Sequence, residues 1–247
     1  MYKYVSYLWK DAEAQGKSEL DQLVYRSRLL GADLRVTNFA GGNTSVKVNE
    51  RDPLTGNPVE VIWVKASGGD LGTISREGFA SLYMDKLRAM KKIYRGLEFE
   101  DEMVAYLTHS TFNANPAPAS IDTPLHAFIP HRHVDHLHPD AIIAVAASKD
   151  GPRLTQEIFG SKVAWFKWQR PGFDLGLQLE KLVAGHAGFE GIVLGGHGLF
   201  TWGNTSKECY ENSLAAIDKA AAYLESQVAK KGRVFGGGRR RELPDKK

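Results

Sequence analysis

Apolar residues recur at helical spacing in the N-terminal and C-terminal parts of the chain. The first such segment runs from Leu20 to Leu30 and predicts an amphipathic helix that ends at Gly31. Residues 206–228 have the same period, and the predicted helix carries one apolar face formed by Tyr210, Leu214, Ile217, Ala221 and Leu224. Further helices are predicted between them, at residues 76–92, 100–112 and 174–184.

Strand-like segments alternate with these helices. A turn-rich connection at residues 52–58 predicts a hairpin between residues 35–49 and 59–65. The run at 163–168 predicts a strand and the run at 191–195 a buried strand, whereas the run at 142–147 fits either a helix or a buried strand. Strands interleaved with helices, together with a hairpin, predict a layered α/β domain with a mixed sheet.

The composition is that of a globular chain that can bury one substantial core. Its 247 residues are 43% apolar, and no run of eighteen apolar residues is present. The N-terminus lacks the charged and apolar regions of a signal peptide. The lone Cys209 cannot form an internal disulfide, which fits a reducing compartment. We therefore expect a cytoplasmic protein.

The net charge of +3 comes from the C-terminal end of the chain. Residues 230–247 contain eight Lys or Arg and two acidic residues, so the rest of the chain carries about −3. This part of the chain therefore lacks the excess of basic residues that is typical of nucleic-acid-binding proteins. We expect one domain at residues 1–230, a basic Gly/Arg-rich tail or truncated linker at 231–247, and neither nucleic acid nor a membrane as a partner.

Histidines supply the most specific chemical pattern. Four lie within eight residues as two His-x-His pairs, and a distant His197 lies in Gly-Gly-His-Gly. An extended His-x-His pair directs both imidazoles to one face, and three histidines with an open position can form a catalytic zinc site. Without His197, the four clustered histidines could equally belong to a polar surface loop. Their spacing also does not show which of the two pairs would bind a metal. The clustered residues are His131, His133, His136 and His138.

Two glycine-containing turns adjoin the strands of the predicted hairpin. Residues 38–45 read Asn-Phe-Ala-Gly-Gly-Asn-Thr-Ser, and residues 65–70 read Lys-Ala-Ser-Gly-Gly-Asp. Backbone N–H groups beside Asn, Ser and Thr side chains can bind an anion, although glycines in turns also serve backbone geometry alone. Because both turns adjoin one hairpin, a shared anion site is a hypothesis beside the purely structural one.

An acidic residue precedes the histidines in the segment Ser-Ile-Asp-Thr-Pro-Leu-His at 120–126. Asp122 either closes a turn before Pro124 or acts as a general base or additional metal ligand. His126 is expected to be structural. Cys209 has no histidine near it in sequence, and neither a nucleophile elbow, a dinucleotide fingerprint nor a P-loop is present.

Taken in order, these motifs resemble the class II aldolase/adducin family over residues 20–225. The order is Gly-Asn-x-Ser, Ala-Ser-Gly-Gly, Ser-x-Asp-Thr-Pro-Leu-His, His-x-His and His-Gly-Leu. Within the family, residues 120–128 and 133–140 look most like the aldolase portion of bifunctional rhamnulose-1-phosphate aldolase/lactaldehyde dehydrogenases. The resemblance implies a three-layer α/β/α fold with a central mixed, largely antiparallel sheet, and a homotetramer.

The resemblance also implies roles for individual residues. The family's ligand pair directly precedes a helix of small and apolar residues, and His136 and His138 fit this position. With His197 as the third ligand, the resemblance implies a site for Zn²⁺ or another divalent metal. His131 and His133 would then lie in the approach loop. Asp122 carries over as the catalytic carboxylate. The positions that bind the phosphate of the substrate carry over to Gly42, Asn43, Ser67, Gly68 and Ser120.

The implied reaction is cleavage of a ketose 1-phosphate, L-rhamnulose 1-phosphate, to dihydroxyacetone phosphate and L-lactaldehyde. Shorter aldolases of the family have Glu where this chain has Asp122, whereas related pentulose-phosphate 4-epimerases have Asp, so epimerisation is the alternative. A non-catalytic adducin-like binding module is a second alternative, and the three intact histidines argue against it. No NAD chemistry is expected, because 247 residues leave no room for a dehydrogenase half.

Overall fold

The computed structural model describes residues 2–231 and contains a seven-stranded sheet between two layers of helices. The strands are β1 (Asn43–Arg51), β2 (Pro58–Lys65), β3 (Phe79–Tyr83), β4 (His133–Leu137), β5 (Val163–Phe166), β6 (Gly191–Leu194) and β7 (Gly198–Gly203). Their order across the sheet is β3-β2-β1-β4-β7-β6-β5. Neighbouring strands are antiparallel except for β5 and β6. The predicted mixed, largely antiparallel sheet is confirmed.

Helices cover both faces of the sheet. They are α1 (Asp11–Ala14), α2 (Glu19–Gly31), α3 (Met84–Ala89), α4 (Glu100–Tyr106), α5 (Thr123–Phe128), α6 (Asp140–Ala146), α7 (Gly151–Phe159), α8 (Phe173–Ala184) and α9 (Ser206–Lys231). On one face α2, α6, α7 and α9 pack against the strands, and on the other face α3 and α5 do so with α4 and α8 beside them. The three-layer α/β/α prediction is confirmed.

The central strands are buried on both faces. Along β6, Val193 packs on the side of α9 while Ile192 and Leu194 pack on the side of α8, as the period of two requires. Each such apolar side chain contributes about 1.5–3 kcal/mol when it is fully buried. Strands that are apolar on both faces read as continuous runs rather than as alternation.

The first predicted helix is confirmed as α2. Ser18 precedes it and accepts a hydrogen bond from the backbone N–H of Asp21, so the helix has an N-terminal cap. At its end, a Cβ atom on Gly31 would lie 2.1 Å from the backbone nitrogen of Gly72. The helix therefore ends with a residue that has no side chain. The predicted C-terminal helix is also confirmed and continues to Lys231 as α9.

Several predicted boundaries were wrong. The segment 76–92 contains β3 before α3, because four consecutive residues from Phe79 are buried against β2 and hide the strand period. The first hairpin strand begins at Asn43 rather than at residue 35, and β5 ends at Phe166. The α-helix predicted at 100–112 ends at Tyr106 and continues as a 3₁₀ turn. The ambiguous run at 142–147 lies in α6.

Five helices and strands of the structure were not predicted: α1, α5, α7, β4 and β7. The basic tail proposed for 231–247 lies outside the described residues, apart from Lys231 at the end of α9. Between residues 2 and 231, no helix combines the length and apolar character needed to cross a membrane.

Candidate metal and anion site

Three histidines meet where β4 and β7 run side by side. His136 is on β4, His138 follows the end of this strand, and His197 lies in the turn between β6 and β7. The two strands are antiparallel, and Leu137 is paired with Leu199. The end of β4 therefore lies beside the start of β7, which brings His197 next to residues that are about sixty positions earlier in sequence.

The imidazole nitrogens of these residues converge. The Nε2 atom of His136 lies 3.2 Å from Nε2 of His197 and 3.0 Å from Nε2 of His138. One ligand atom from each residue lies within 4.8 Å of the others, so the three could hold a metal ion. Imidazole donors suit zinc and other transition metals.

His136 is fixed in the orientation that a metal ligand needs. Its side chain is buried, its Nδ1 lies 3.1 Å from the carbonyl oxygen of Leu199, and its ring stacks on Phe200. If Nδ1–H donates to this carbonyl, the lone pair of Nε2 is free for a metal. Burial holds the pKa of His136 well below its ordinary value and lowers the pKa of His138 to about 4. Both imidazoles are therefore neutral at pH 7, as metal binding requires.

Two glycines let the backbone approach the histidines closely. A Cβ atom on Gly198 would lie 2.6 Å from the carbonyl oxygen of Leu137 and 2.8 Å from the His138 ring. Gly42 has a φ of +78°, and a Cβ atom there would lie 2.9 Å from the carbonyl oxygen of His136. At these positions the sequence needs glycine both for space and, at Gly42, for the backbone conformation.

Asp122 lies beside the histidines, and only one of its two carboxylate oxygens has a hydrogen-bond partner among the described residues. The Nδ2 atom of Asn43 donates to Oδ2 of Asp122 at 2.6 Å and to Oγ of Ser120 at 3.2 Å. Oδ1 of Asp122 is buried and has no hydrogen-bond partner among the described residues. Burial raises the pKa of Asp122, while His197, Asn43 and Lys65 act in the opposite direction. A buried acceptor without a partner is costly, so Oδ1 is suited to a ligand or a metal.

A cleft of about 160 Å³ joins the predicted site residues. All five residues predicted to bind the phosphate group line it, together with Asp122, His136 and His138. His197 does not line the cleft itself, but its Nε2 atom lies 3.2 Å from Nε2 of His136, which does. Two consecutive glycines, Gly68 and Gly69, have positive φ angles of 79° and 74° and form the turn at the edge of the cleft. The five lining residues are Gly42, Asn43, Ser67, Gly68 and Ser120.

Lys65 is a cleft residue that the sequence reasoning did not select. Its side chain is only 4% exposed, and its Nζ donates to the carbonyl oxygen of Gly68 at 2.9 Å. No carboxylate forms an ion pair with it among the described residues, although Asp122 and Asp70 act on it through space. Burial lowers the pKa of Lys65. The sequence feature that could have identified Lys65 is its place as the first residue of the Lys-Ala-Ser-Gly-Gly motif, at the last position of β2.

The other histidines have structural contacts. His133 was expected in an approach loop, but it begins β4 and points away from the cleft, where its Nδ1 lies 2.9 Å from Nη1 of Arg26. The same guanidinium donates through Nε to Asp135 at 3.0 Å, and all three side chains are buried. His131 stacks on Trp202. His126 is buried and its Nδ1 lies 2.9 Å from Oγ of Ser45, which fits the expected structural role.

Comparison with known proteins agrees with the fold and the arrangement of the motifs. Residues 21–224 match the sequence model of the Class II Aldolase and Adducin N-terminal domain. The chain belongs to this family. The class II aldolase resemblance drawn from the motifs is therefore confirmed at the level of the family, which does not specify a substrate.

Similar proteins extend this assignment. The chain is 39% identical over 244 residues to "Uncharacterized oxidoreductase YuxG" of Bacillus subtilis (strain 168), covering 98% of this chain and 35% of that protein. The chain thus spans about a third of the length of this curated relative. The N-terminal class II aldolase domain of a conserved Thermoplasma acidophilum protein is 35% identical, with a TM-score of 0.79 over 91% of this chain and 100% of the other.

A more distant solved structure shares the fold alone. The sugar-phosphate aldolase of Thermotoga maritima is 16% identical to this chain and superposes with a TM-score of 0.61. The match covers 89% of this chain and 98% of the other. At this identity the likeness supports the class II aldolase fold and leaves the substrate to be inferred from the site.

Proposed function

We propose that this chain is a metal-dependent class II aldolase that cleaves a ketose 1-phosphate. L-Rhamnulose 1-phosphate is the proposed substrate, with dihydroxyacetone phosphate and L-lactaldehyde as products. The observation that carries the proposal is the cleft beside the three converging imidazoles, which is also lined by Asp122 with one buried oxygen that has no partner among the described residues. Two anion-binding turns open onto the same space.

The proposed metal ligands are His136, His138 and His197, and the proposed metal is Zn²⁺ or another divalent cation. Three neutral imidazoles with room for a further ligand are typical of a catalytic zinc site. A divalent cation bound there would stabilise the negative charge that develops on the carbonyl oxygen of the ketose as the carbon–carbon bond breaks. The histidines hold this position because β4 and β7 are paired below it.

Asp122 is the proposed proton carrier. Asn43 holds Oδ2, so Oδ1 is left to accept a proton from the substrate hydroxyl on the carbon that leaves as the aldehyde. The electron pair of that O–H bond forms the carbonyl group of the aldehyde, and the electrons of the broken carbon–carbon bond remain on the ketose fragment. The raised pKa of Asp122 helps the carboxyl group to return the proton to that fragment.

The proposed phosphate site consists of the two turns beside Asp122. Side chains of Asn43, Ser67 and Ser120 and the backbone of Gly42 and Gly68 line the cleft, so an anion bound there would be held close to the histidines. Fixing the phosphate positions the reacting carbons and lowers the entropic part of the barrier. Lys65 would add a positive charge at the same place.

Replacement of Lys65 by methionine is expected to raise KM for the phosphorylated ketose by about 10- to 100-fold, because a hydrogen bond to a charged group contributes about 1.5–3 kcal/mol. The change should affect kcat much less, since the lysine binds the anion rather than the reacting carbons. Steady-state kinetics of the two proteins would measure both constants. Lys65→Arg is the control that keeps the charge, and an unchanged KM with a lower kcat would contradict this role.

The reaction is tested by product analysis. The chain is incubated with several ketose 1-phosphates, with and without a chelator, and dihydroxyacetone phosphate is measured by a coupled assay while the aldehyde is trapped. We expect chelator-sensitive release of both fragments, fastest from L-rhamnulose 1-phosphate. Absence of fragments from every ketose phosphate with zinc bound would refute the aldolase assignment.

Epimerisation of a pentulose phosphate at carbon 4 is the second candidate, and the aspartate at position 122 favours it. Such an epimerase breaks and re-forms the same kind of bond, so it needs the same cleft. The product mixture separates the two functions: an isomerised pentulose phosphate without free fragments would replace the aldolase proposal. The intact histidine triad argues against a non-catalytic adducin-like module.

We also propose that the chain acts as a homotetramer in the cytoplasm. The cleft of about 160 Å³ is smaller than the 300–1,000 Å³ of most ligand sites, so a second subunit would complete its wall. The name of the Bacillus subtilis relative refers to an oxidoreductase, and this chain covers only 35% of that protein. We assign any such activity to the remaining two thirds and expect no NAD-dependent oxidation by this chain.

A further inference from the structure

A second and larger cavity lies farther along strands β1 and β2 than the metal cleft. It encloses about 510 Å³ between β1, β2, α3, α8 and the segment that follows α5. Asn43 in the metal cleft and Lys47 at this cavity are the nearest lining residues on β1, and the strand rise places them about 13 Å apart. The two spaces are therefore separate, and the larger one has the size of a small-molecule site.

Charged side chains form about half of the wall of this cavity. Three of its four cations are held by carboxylates, which fixes the shape of the wall. Arg88 lies 2.6 Å from Glu60, and Lys91 lies 2.6 Å from Glu180. Arg132 lies 2.9 Å from Glu19 on α2.

Lys47 is the fourth cation in its protonated form, and its partners are backbone carbonyl groups rather than carboxylates. The side chain is 9% exposed, and Nζ donates to three backbone carbonyl oxygens at 2.6–2.8 Å. These carbonyls satisfy the N–H groups without supplying a negative charge, and no carboxylate forms an ion pair with Lys47 among residues 2–231. Burial lowers the pKa of Lys47 to about 7, and Arg88 acts in the same direction while Glu60 opposes it.

Buried charges in proteins are normally paired, so the protonated form of Lys47, which has only carbonyl partners, favours an anion in the cavity beside it. Arg88 also has donors to offer. Its contact with Glu60 uses Nη2, and a guanidinium has five N–H groups in a planar fork that matches carboxylate and phosphate oxygens.

We propose that the cavity bounded by Lys47, Arg88 and Arg132 is a second binding site, which takes a small metabolite bearing an oxyanion. The shared chemistry is a phosphate ester or a carboxylate held by arginine forks over the buried ammonium group. The site is independent of the metal cleft and of the reaction that takes place there.

The test uses pyrophosphate and citrate as probes, titrated by calorimetry at constant ionic strength. Lys65→Met protein is the background, because it weakens anion binding in the metal cleft. We expect saturable binding of one or both probes. Arg88→Gln should weaken it and Glu60→Gln should strengthen it, by about three- to tenfold each, since each removes one unit charge near the bound anion.

Both variants break the same ion pair, so a loss of local structure would change the affinity in the same direction in each. Effects of opposite sign therefore report on the charge near the anion. Melting temperatures without a probe verify folding, and if either variant does not fold, Lys91→Met and Glu180→Gln, which break the other ion pair of the wall, replace the two. Preference for pyrophosphate identifies a phosphate ester and preference for citrate a carboxylate. Absence of saturable binding, or a change of equal sign in both variants, would overturn the proposal.

Discussion

Replacement of Asp122 by asparagine is expected to lower kcat by about 10²- to 10⁴-fold while the metal remains bound, because a positioned general acid or base contributes about this much to a rate. The amide has nearly the shape of the carboxylate, and its oxygen can still accept the hydrogen bond from Nδ2 of Asn43. What is lost is the group that can take up a proton at the position of Oδ1. Kinetics of the zinc-loaded protein, with metal content measured on the same sample, give the result.

The matched control for this variant is Asp140→Asn. Asp140 lies two residues after His138, but its side chain is exposed at the start of α6. Turnover should stay within about twofold, because surface substitutions usually change energies by less than 0.5 kcal/mol. If Asp122→Asn instead loses metal in proportion to its loss of turnover, Asp122 is a metal ligand rather than the base.

The parts of the fold that could be predicted from sequence are those with a local signal. Helix α2 has a serine cap, an apolar face and a glycine at its end, and all three can be read along the chain. The hairpin of β1 and β2 was found because a turn of Asp, Pro, Gly and Asn separates two segments that contain β-branched residues. The two turns that line the metal cleft were located by the same local reasoning, since glycine marks unusual backbone conformations.

Strand β4 shows why other parts could not be predicted. All five of its residues are buried, yet His133, Asp135 and His136 are polar, so the segment looks like a surface loop. Arg26 makes this possible, because its buried guanidinium binds His133 and Asp135 from a helix more than 100 residues earlier. No local pattern could reveal such a partner.

Strand β7 and residue Lys65 were missed for related reasons. Every residue of β7 is buried, and its glycines at both ends resemble a loop, although Gly198 is needed for the approach to His138. Lys65 is the last residue of β2, where a lysine usually extends into solvent. Its buried position at the cleft depends on the turn of Gly68 folding back over it, which only the three-dimensional structure shows.

Replacement of His136 by alanine is expected to abolish metal binding and, with it, detectable turnover. His136 is the middle residue of the triad, since its Nε2 lies within 3.2 Å of both other Nε2 atoms. Replacement of residues that only orient the ligands lowers metal affinity by about 10- to 100-fold, so loss of a ligand itself should lower it by at least about 100-fold. Zinc content after dialysis and calorimetric titration with zinc measure the affinity.

His131→Ala is the matched control, because it removes a histidine of the same cluster that stacks on Trp202 and does not line the metal cleft. This variant should bind zinc like the unchanged protein. Bound zinc should also raise the melting temperature of the unchanged protein and of His131→Ala but not of His136→Ala, since a ligand stabilises only a native state that binds it. Equal zinc affinity in both variants would show that the metal is held elsewhere, whereas loss in His136→Ala alone would identify the converging imidazoles as the metal centre.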